Sequence, residues 1–533
     1  MDIVLTTINA KWIHPSLALR LLKANLGSLE NRCEILEFAL RQPIQEKTKP
    51  ILAAQPRLIG FSVSIWNHLA TLELLKALEG NWIQKPIIVF GGPEVSWLKK
   101  APWPNGAEIF RYADYVICGE GEESFRLLCE KILLNESLTE KKPKFINQGD
   151  TIVDVNKINT AYHLYTDEDV NRKLVYVESS RGCPFGCEFC LSSAKSDELD
   201  ESSESAKPAG RVELAESVKS AGRSGLVGTA GFDKIKAVRE FPLEPFLAEM
   251  EKLIKRGVRT FKFLDRSFNL DINRAKKIIG FFLDFILENE KTGQDSPQQN
   301  PKPFVVHFEM IPSRFPLELK ELLCRFPPGT LRLEIGIQTL NPEVAELIHR
   351  QSDFCTELSN LEFLSKETNA ILHVDLIAGL PGESLGSFGD GFDRLWKLLS
   401  GTKDQSAGSS GSVTSGEKNF EIQLGILKCL PGTAISRHSE TFKMSYNTEP
   451  PYEVIETGAL SAFELNKIKN FARFWELIVN RNPFPELIPK LLPPGQPAFN
   501  CFMELSDKLL EHFGRNWGID QKEMKEFLTS CVS

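Results

Sequence analysis

The chain has 533 residues, enough for about three domains of 100–200 residues each, and its 42% apolar and 25% charged content is that of an ordinary globular protein. A net charge of -8 argues against a nucleic-acid partner, which calls for a basic face. The longest apolar stretch, 278–287, is broken by Asp284 and too short to span a bilayer, so no membrane contact is expected.

Residues 1–140 alternate strand-like and helix-like runs. Segments 3–7, 33–38, 58–63, 87–90 and 115–117 read as strands, and between them residues such as Leu17, Leu21 and Ala24 fall on one helical face. This alternation predicts a parallel sheet with helices on both faces, a doubly wound, Rossmann-like domain. Ligands of such sheets bind outside the carboxyl ends of the strands. There the sequence places Ser62-Val63-Ser64, Gly91-Gly92-Pro93-Glu94 and Gly119-Glu120-Gly121-Glu122, whose glycines permit close backbone approach to a ligand.

After a polar link at about 136–170 the pattern restarts. Strands are expected at 174–177, 260–264, 304–309, 331–337, 371–378 and 420–428, with helical patterns such as Phe246/Met250/Leu253 and Ile272/Ala275/Ile279/Phe282 between them, the second capped by Asp271. Six β/α units over 170–435 predict an incomplete barrel of the triosephosphate-isomerase type. Residues 194–236, 288–302 and 400–418 lack a sustained apolar period and read as flexible inserts. From 446 to 533 the patterns are helical, Leu465/Ile468/Phe471/Leu477 and then Phe502/Leu505/Leu509, with Phe474 and Trp475 as core.

The chemistry concentrates in Arg181-Gly182-Cys183-Pro184-Phe185-Gly186-Cys187-Glu188-Phe189-Cys190, directly after the first barrel strand. Three thiols with no obvious fourth suggest an iron–sulfur cubane with one iron open to a ligand. A structural zinc site would need a fourth ligand, and no Cys or His follows within the next hundred residues. A disulfide is disfavoured by the odd count and by Met1-Asp2-Ile3-Val4-Leu5, which lacks a secretory start; the other eight cysteines stand singly, as in a reducing cytoplasm. Barrel chemistry sits at the carboxyl ends of strands. These ends carry Asp265-Arg266-Ser267-Phe268-Asn269, His307-Phe308-Glu309-Met310, Glu334-Ile335-Gly336-Ile337-Gln338, Asp375 through Glu383, and Leu427 through Gly432. Carboxylates such as Glu309 and Glu334 are costly to bury without partners, which points to polar-ligand binding.

The C-x3-C-x2-C spacing with an aromatic before its last Cys resembles the radical S-adenosylmethionine (SAM) family. The resemblance implies a [4Fe-4S] cluster on Cys183, Cys187 and Cys190 whose open iron chelates SAM, and reductive cleavage of SAM to a 5′-deoxyadenosyl radical. It implies SAM contacts from Phe189 and Ile377, Gly379 and Leu430 around adenine, from Glu334 and Gln338 to the ribose or methionine part, and from Glu309. The Gly-Gly-Glu common after strand two is missing, so Asp265 or Ser267 must substitute. The resemblance also implies an electron donor such as flavodoxin or ferredoxin.

The glycine loops of the first domain, ahead of such a barrel, resemble the cobalamin-binding domain of cobalamin-dependent radical SAM enzymes. This implies cobalamin contacts from Ser62, Ser64, Gly91, Gly92, Gly119, Glu120 and Gly121. Asn9-Ala10-Lys11-Trp12-Ile13-His14 and the helical C-terminal domain resemble one uncharacterised branch. The D-x-H-x-x-G that supplies an axial histidine in many such domains is absent. With His14 aligned as its His, Trp12 takes the Asp position and Leu17 the Gly position, so a cobalt without protein nitrogen is expected, with Trp12 as a cover for its lower face. The implied activity is methyl transfer to an unidentified substrate. Radical rearrangement or cyclisation without methyl transfer, and a non-catalytic iron–sulfur or regulatory role, remain alternatives.

Overall fold

The computed structural model describes residues 1–98, 104–134, 144–146, 152–193, 238–292, 303–401 and 419–532. The insert expected at 194–236 lies outside the described residues, as do 293–302 and 402–418 of the other two, whereas 288–292 continue the helix Ile272–Thr292 and are no insert. Six parallel strands form the first sheet: β1 Ile3–Asn9, β2 Cys33–Ala39, β3 Leu58–Ser62, β4 Ile87–Gly91, β5 Tyr115–Ile117 and β6 Lys144–Ile146, in the order β2-β1-β3-β4-β5-β6. The chain reverses direction across the sheet between β1 and β3, the place where doubly wound sheets open a crevice. Residues 3–8 are buried, as a strand covered on both faces requires. β6 falls in the segment read as a link. Its three residues carry no period, and pairing with the edge of β5 alone makes them a strand.

Residues 152–170 of that segment are also folded. Val153, Val155, Tyr162 and Tyr165 are buried; the Tyr165 hydroxyl donates to the Tyr176 carbonyl at 2.7 Å and that of Tyr162 to the Glu178 carbonyl at 3.1 Å. Leu17, Leu21 and Ala24, on the helix Leu17–Ala24, pack into this same core. Arg20 on that helix reaches Glu37 of β2 at 2.9 Å and Asp169 at 2.7 Å, so the first domain is fastened to the second from its first helix onward.

The second sheet holds β7 Val175–Val177, β10 Thr260–Phe263, β11 Val305–Met310, β12 Leu331–Gln338, β13 Ile371–Ala378 and β14 Phe420–Ile426, all parallel; a short antiparallel pair, β8 Ser180–Arg181 and β9 Arg239–Glu240, lies beside it. Strands follow one another in chain order from β7 to β14, the arrangement of a β/α barrel left open between those two. Alternation is clear in β11 and β12. Val306, Phe308, Leu333 and Ile335 are buried against the helices, while His307, Glu309, Glu334 and Gln338 face the lumen half-buried. Outside, Phe261, Phe263, Phe282 and Phe308 pack ring on ring, each worth ~2–3 kcal/mol over an exposed position. Asp271 caps the following helix Ile272–Thr292 by accepting from the Arg274 amide at 3.0 Å.

The C-terminal part adds a two-stranded antiparallel ladder, β15 Ser445–Tyr446 and β16 Val454–Glu456, then the helices Ala462–Trp475, Ile488–Leu491, Ala498–Phe513 and Gln521–Val532. Phe474 and Trp475 are buried, Trp475 against Phe392, Phe471 and Phe502. Among the described residues no helix is long and apolar enough to cross a membrane.

Candidate active site

The cysteine loop leaves β7 and turns at Gly182. Cys183, Cys187 and Cys190 are free and half-buried. Three anchors hold the loop. Asp265, at the end of β10, accepts from the Ser179 amide at 2.9 Å, the Ser179 hydroxyl at 2.7 Å and the Ser180 hydroxyl at 2.6 Å. Ser193 closes the last turn by donating to the carbonyls of Cys190 and Cys187. Glu188, buried between two of the cysteines, meets His438 at 2.7 Å, His349 at 2.9 Å and Arg437, while its amide donates to the Ile348 carbonyl at 3.1 Å. Burial pushes the Cys183 thiol up to about 11, with Cys190, Cys187 and Glu309 adding to the effect. Burial raises the Cys187 thiol too, and the positive charge of Arg350 opposes that rise; the same guanidinium donates to the Gly336 carbonyl.

Among the described residues no three Cys, His, Asp or Glu side chains are gathered for a single metal ion. A cubane places its thiolates on three different irons, so its ligands stand wider apart than those of one ion. Three half-buried thiols on one anchored loop, without a fourth, suit that donor set.

Asp265 was expected to reach SAM. Its oxygens are instead engaged by the two serines in full burial, so it shapes the cysteine loop. Ser267 is buried as well. Glu334 sits one layer below Gln338 in the lumen and is likewise engaged, by Lys262 at 3.1 Å and His307 at 3.3 Å. Contact with His307, helped by Lys262 and opposed by burial, holds its carboxyl down to about 2. Gln338 stands at a register shift in β12 with φ 70°. Its amide folds over Gly336, where a Cβ would come within 2.3 Å of Nε2, so only glycine admits this placement. Glu309 faces the mouth, 3.4 Å from Arg266. Ile377 is half-buried opposite Gly425, Gly379 lies under Val454 and Leu465, Leu430 starts a turn closed by Thr433, and Phe189 packs against the barrel core.

One residue of this mouth, Arg350, carries no motif and was not anticipated. Arg350 follows strand β12 by a dozen residues in a loop, and only the fold brings it to Cys187. Asp375 lies in register between Gly336 and Gln423; burial, with Glu334 and Glu309 nearby, pushes its carboxyl up to about 8.

Above the mouth a cavity of about 620 Å³ separates the two sheets. Its walls include Ser62, Gly91, Gly92, Gly119, Glu120 and Gly121 from the first domain, and Leu191, Ser192, Leu264 and Arg266 from the barrel side. Gly92, at φ 105°, brings its Cα so close to β3 that a Cβ would meet the Val63 carbonyl at 2.4 Å. Ser64 is outside the cavity: buried, it builds the turn with Asn67, whose Oδ1 accepts from its amide at 2.7 Å. Glu120 lines the cavity, yet its carboxylate is taken by Arg239 and by the Val153 amide, both at 2.8 Å. Glu122 pairs with Arg181 at 2.7 Å, and Arg181 also with Glu178 at 2.7 Å, so this loop clamps the first domain to the barrel. Trp12 is not a cavity cover. It stands half-exposed under the Lys173 ammonium, 5.1 Å from the ring centroid, and Trp66 and Trp97 line the cavity instead. Among the described residues no histidine lines it either. His14 is turned to the Tyr176 hydroxyl at 2.9 Å, and His68 is buried on Glu94 at 3.0 Å.

Residues 177–395, the central domain, match the Radical SAM superfamily. More narrowly, residues 440–527 match a family described as Protein of unknown function (DUF4080). Among curated proteins none matches the sequence. Similar solved structures include TsrM from Kitasatospora setae, a radical S-adenosylmethionine methyltransferase, with tryptophan substrate and the SAM analogue aza-SAM bound (TM-score 0.54, 15% identity, 85% of this chain and 80% of that one). The same enzyme with cobalamin and a [4Fe-4S] cluster gives 0.51 and 16%, over 82% and 74%. The apo form of OxsB, a cobalamin-dependent S-adenosylmethionine radical enzyme, gives 0.56 and 14%, over 99% of this chain and 75% of that one. At these identities the likeness is one of fold: a doubly wound domain, a partial barrel and a helical C-terminal part in one chain.

Proposed function

We propose that this chain is a cobalamin-dependent radical SAM enzyme that transfers a methyl group to an unactivated centre of its substrate. The observation that carries this reading is the cavity between the two sheets. It joins the glycine loops of the first domain to the mouth of the cysteine-bearing barrel, and it is walled mainly by apolar side chains. Gly91 and Gly92 present bare backbone in the wall, which leaves room for a large flat ring, and among the described residues no histidine stands in the wall, which suits a corrinoid without axial protein nitrogen.

When bound, the cluster and SAM supply a hydrogen-abstracting radical and the corrinoid carries a methyl group. The chain's own residues position these groups. Cys183, Cys187 and Cys190 would hold the cluster. At the mouth Glu309 offers an anion to an ammonium and Arg350 a cation to a carboxylate, while Gln338 and Asp375 present hydrogen-bonding groups to sugar hydroxyls. The Arg181 and Arg239 clamp keeps the cavity facing the mouth and closes its rim against water. A one-electron donor such as flavodoxin or ferredoxin would reduce the cluster.

Anaerobic purification with iron and cobalamin quantified, followed by SAM cleavage with and without cell extract, tests the reading. Bound cobalamin, with S-adenosylhomocysteine and 5′-deoxyadenosine both rising on addition of extract, is the expected result. Deoxyadenosine without homocysteine would replace methyl transfer by rearrangement or cyclisation, and failure to bind cobalamin would overturn the assignment of the cavity.

A further inference from the structure

Among the described residues six charged side chains line the cavity, and the fold has used up five of them. Glu94 is buried on His68 and on the Tyr452 hydroxyl at 2.5 Å. Glu120 is held by Arg239, and Glu122 and Glu178 share Arg181, each at 2.7 Å. Arg266 is different. Its side chain is 60% exposed, and among the described residues its one partner is Glu309 at 3.4 Å, a long contact for a guanidinium and a carboxylate. It stands at the end of β10, where the cavity meets the barrel mouth, next to Leu264, which is itself an exposed apolar side chain in the same wall. A molecule that reacts with groups held on both sides has to lie across this junction.

We propose that the substrate carries an anionic group, a carboxylate or a phosphate, bound by Arg266, with its apolar part against Leu264 and Leu191 on the barrel side of the cavity. The proposal rests on the reading of the cavity given above. A guanidinium presents a planar fork that matches either anion. The surrounding wall, with Leu264, Leu191 and Trp66, is apolar, so the ligand class is an amphiphilic anion. Engagement of Glu309 by the ammonium of SAM would loosen the Arg266 contact and leave the guanidinium to the substrate, which makes the order of binding SAM first.

The corrinoid's nucleotide phosphate and the carboxylate of SAM are the other anions that could claim Arg266, and the experiment separates them. Cyclohexylacetate and its neutral isostere cyclohexylacetamide are titrated calorimetrically into the full-length, reconstituted protein, alone and after loading with SAM and hydroxocobalamin. The carboxylate is expected to bind at least tenfold more tightly than the amide once SAM is bound, and by a smaller margin without it. Arg266→Gln should erase the difference, and Arg266→Lys should keep part of it. Equal binding of acid and amide to the wild type overturns the proposal. So does loss of the acid's binding on addition of SAM, which would give Arg266 to the SAM carboxylate. Weakened binding of cobalamin but not of cobinamide by Arg266→Gln would give it to the corrinoid phosphate and overturn it equally. If hydroxocobalamin does not bind at all, the function proposed above fails while the comparison of acid with amide still decides the role of Arg266.

Discussion

Arg181→Met tests whether the clamp between the two sheets is structural. The Arg181 side chain is 11% exposed; it meets Glu122 and Glu178 at 2.7 Å and Glu120 at 3.8 Å, and stands 5.6 Å from the Phe241 ring centroid. Methionine keeps much of the volume but leaves the carboxylates facing one another with Arg239 as the remaining cation. Breaking a buried ion pair on one side costs about 3–5 kcal/mol, because the partner charge stays buried. At about 2.1 cal/mol/K of unfolding entropy per residue, a chain that melts as one unit loses about 3–4 °C in Tm, whereas a first domain of roughly 130 residues melting by itself loses about 10–20 °C. Differential scanning calorimetry distinguishes the two, the second as a split endotherm. The deficit should shrink as pH falls toward the carboxylate range, since burial already raises the Glu178 carboxyl and a protonated Glu178 no longer needs a cation. A Tm within about 1 °C of wild type at neutral pH would refute the argument and make the network a solvated surface feature.

Three other outcomes are expected. Replacing Cys183, Cys187 and Cys190 together by Ala should abolish iron and sulfide incorporation with little change in the far-ultraviolet spectrum, because the thiols are half-buried at the mouth and not in the core; full iron content in that variant sinks the cluster assignment. Asp375→Asn should raise stability increasingly from about pH 4 to 8, by about 2–5 kcal/mol at the upper end. The fold holds the Asp375 proton up to about 8, so the stability that proton brings is complete below the unfolded carboxyl value and fades as pH rises; a pH-independent Tm difference contradicts this. Paramagnetic resonance of bound cob(II)alamin should show no nitrogen splitting from the protein and no change in His14→Ala, since Tyr176 holds that imidazole away from the cavity; a splitting that vanishes in the variant would count against the cavity assignment.

The periods of the chain carried most of the fold. A run such as Val305–Met310 alternates because one face, through Phe308, meets Phe263 and Phe268 and the other meets the lumen, and that difference is written in each side chain. The cysteine spacing was legible for a similar reason, since ligands on one loop must be neighbours in sequence. The first-domain glycine loops could be placed at strand ends without knowing what they faced. What a residue does with its charge was not legible. Asp265, Glu120 and Glu334 have the right identity at the right strand ends for ligand contacts, and each is engaged by partners up to 119 positions away: Ser179 and Ser180, Arg239, and Lys262. Arg350 reaches Cys187, and Tyr452 reaches Glu94 across 358 positions, with no local signal in either case. Local pattern reports which face of an element is buried, because burial is a property of the side chain itself. Which charges neutralise one another, and which one, Arg266, is left over for a ligand, depends on distances that only the packing of one domain against the other sets.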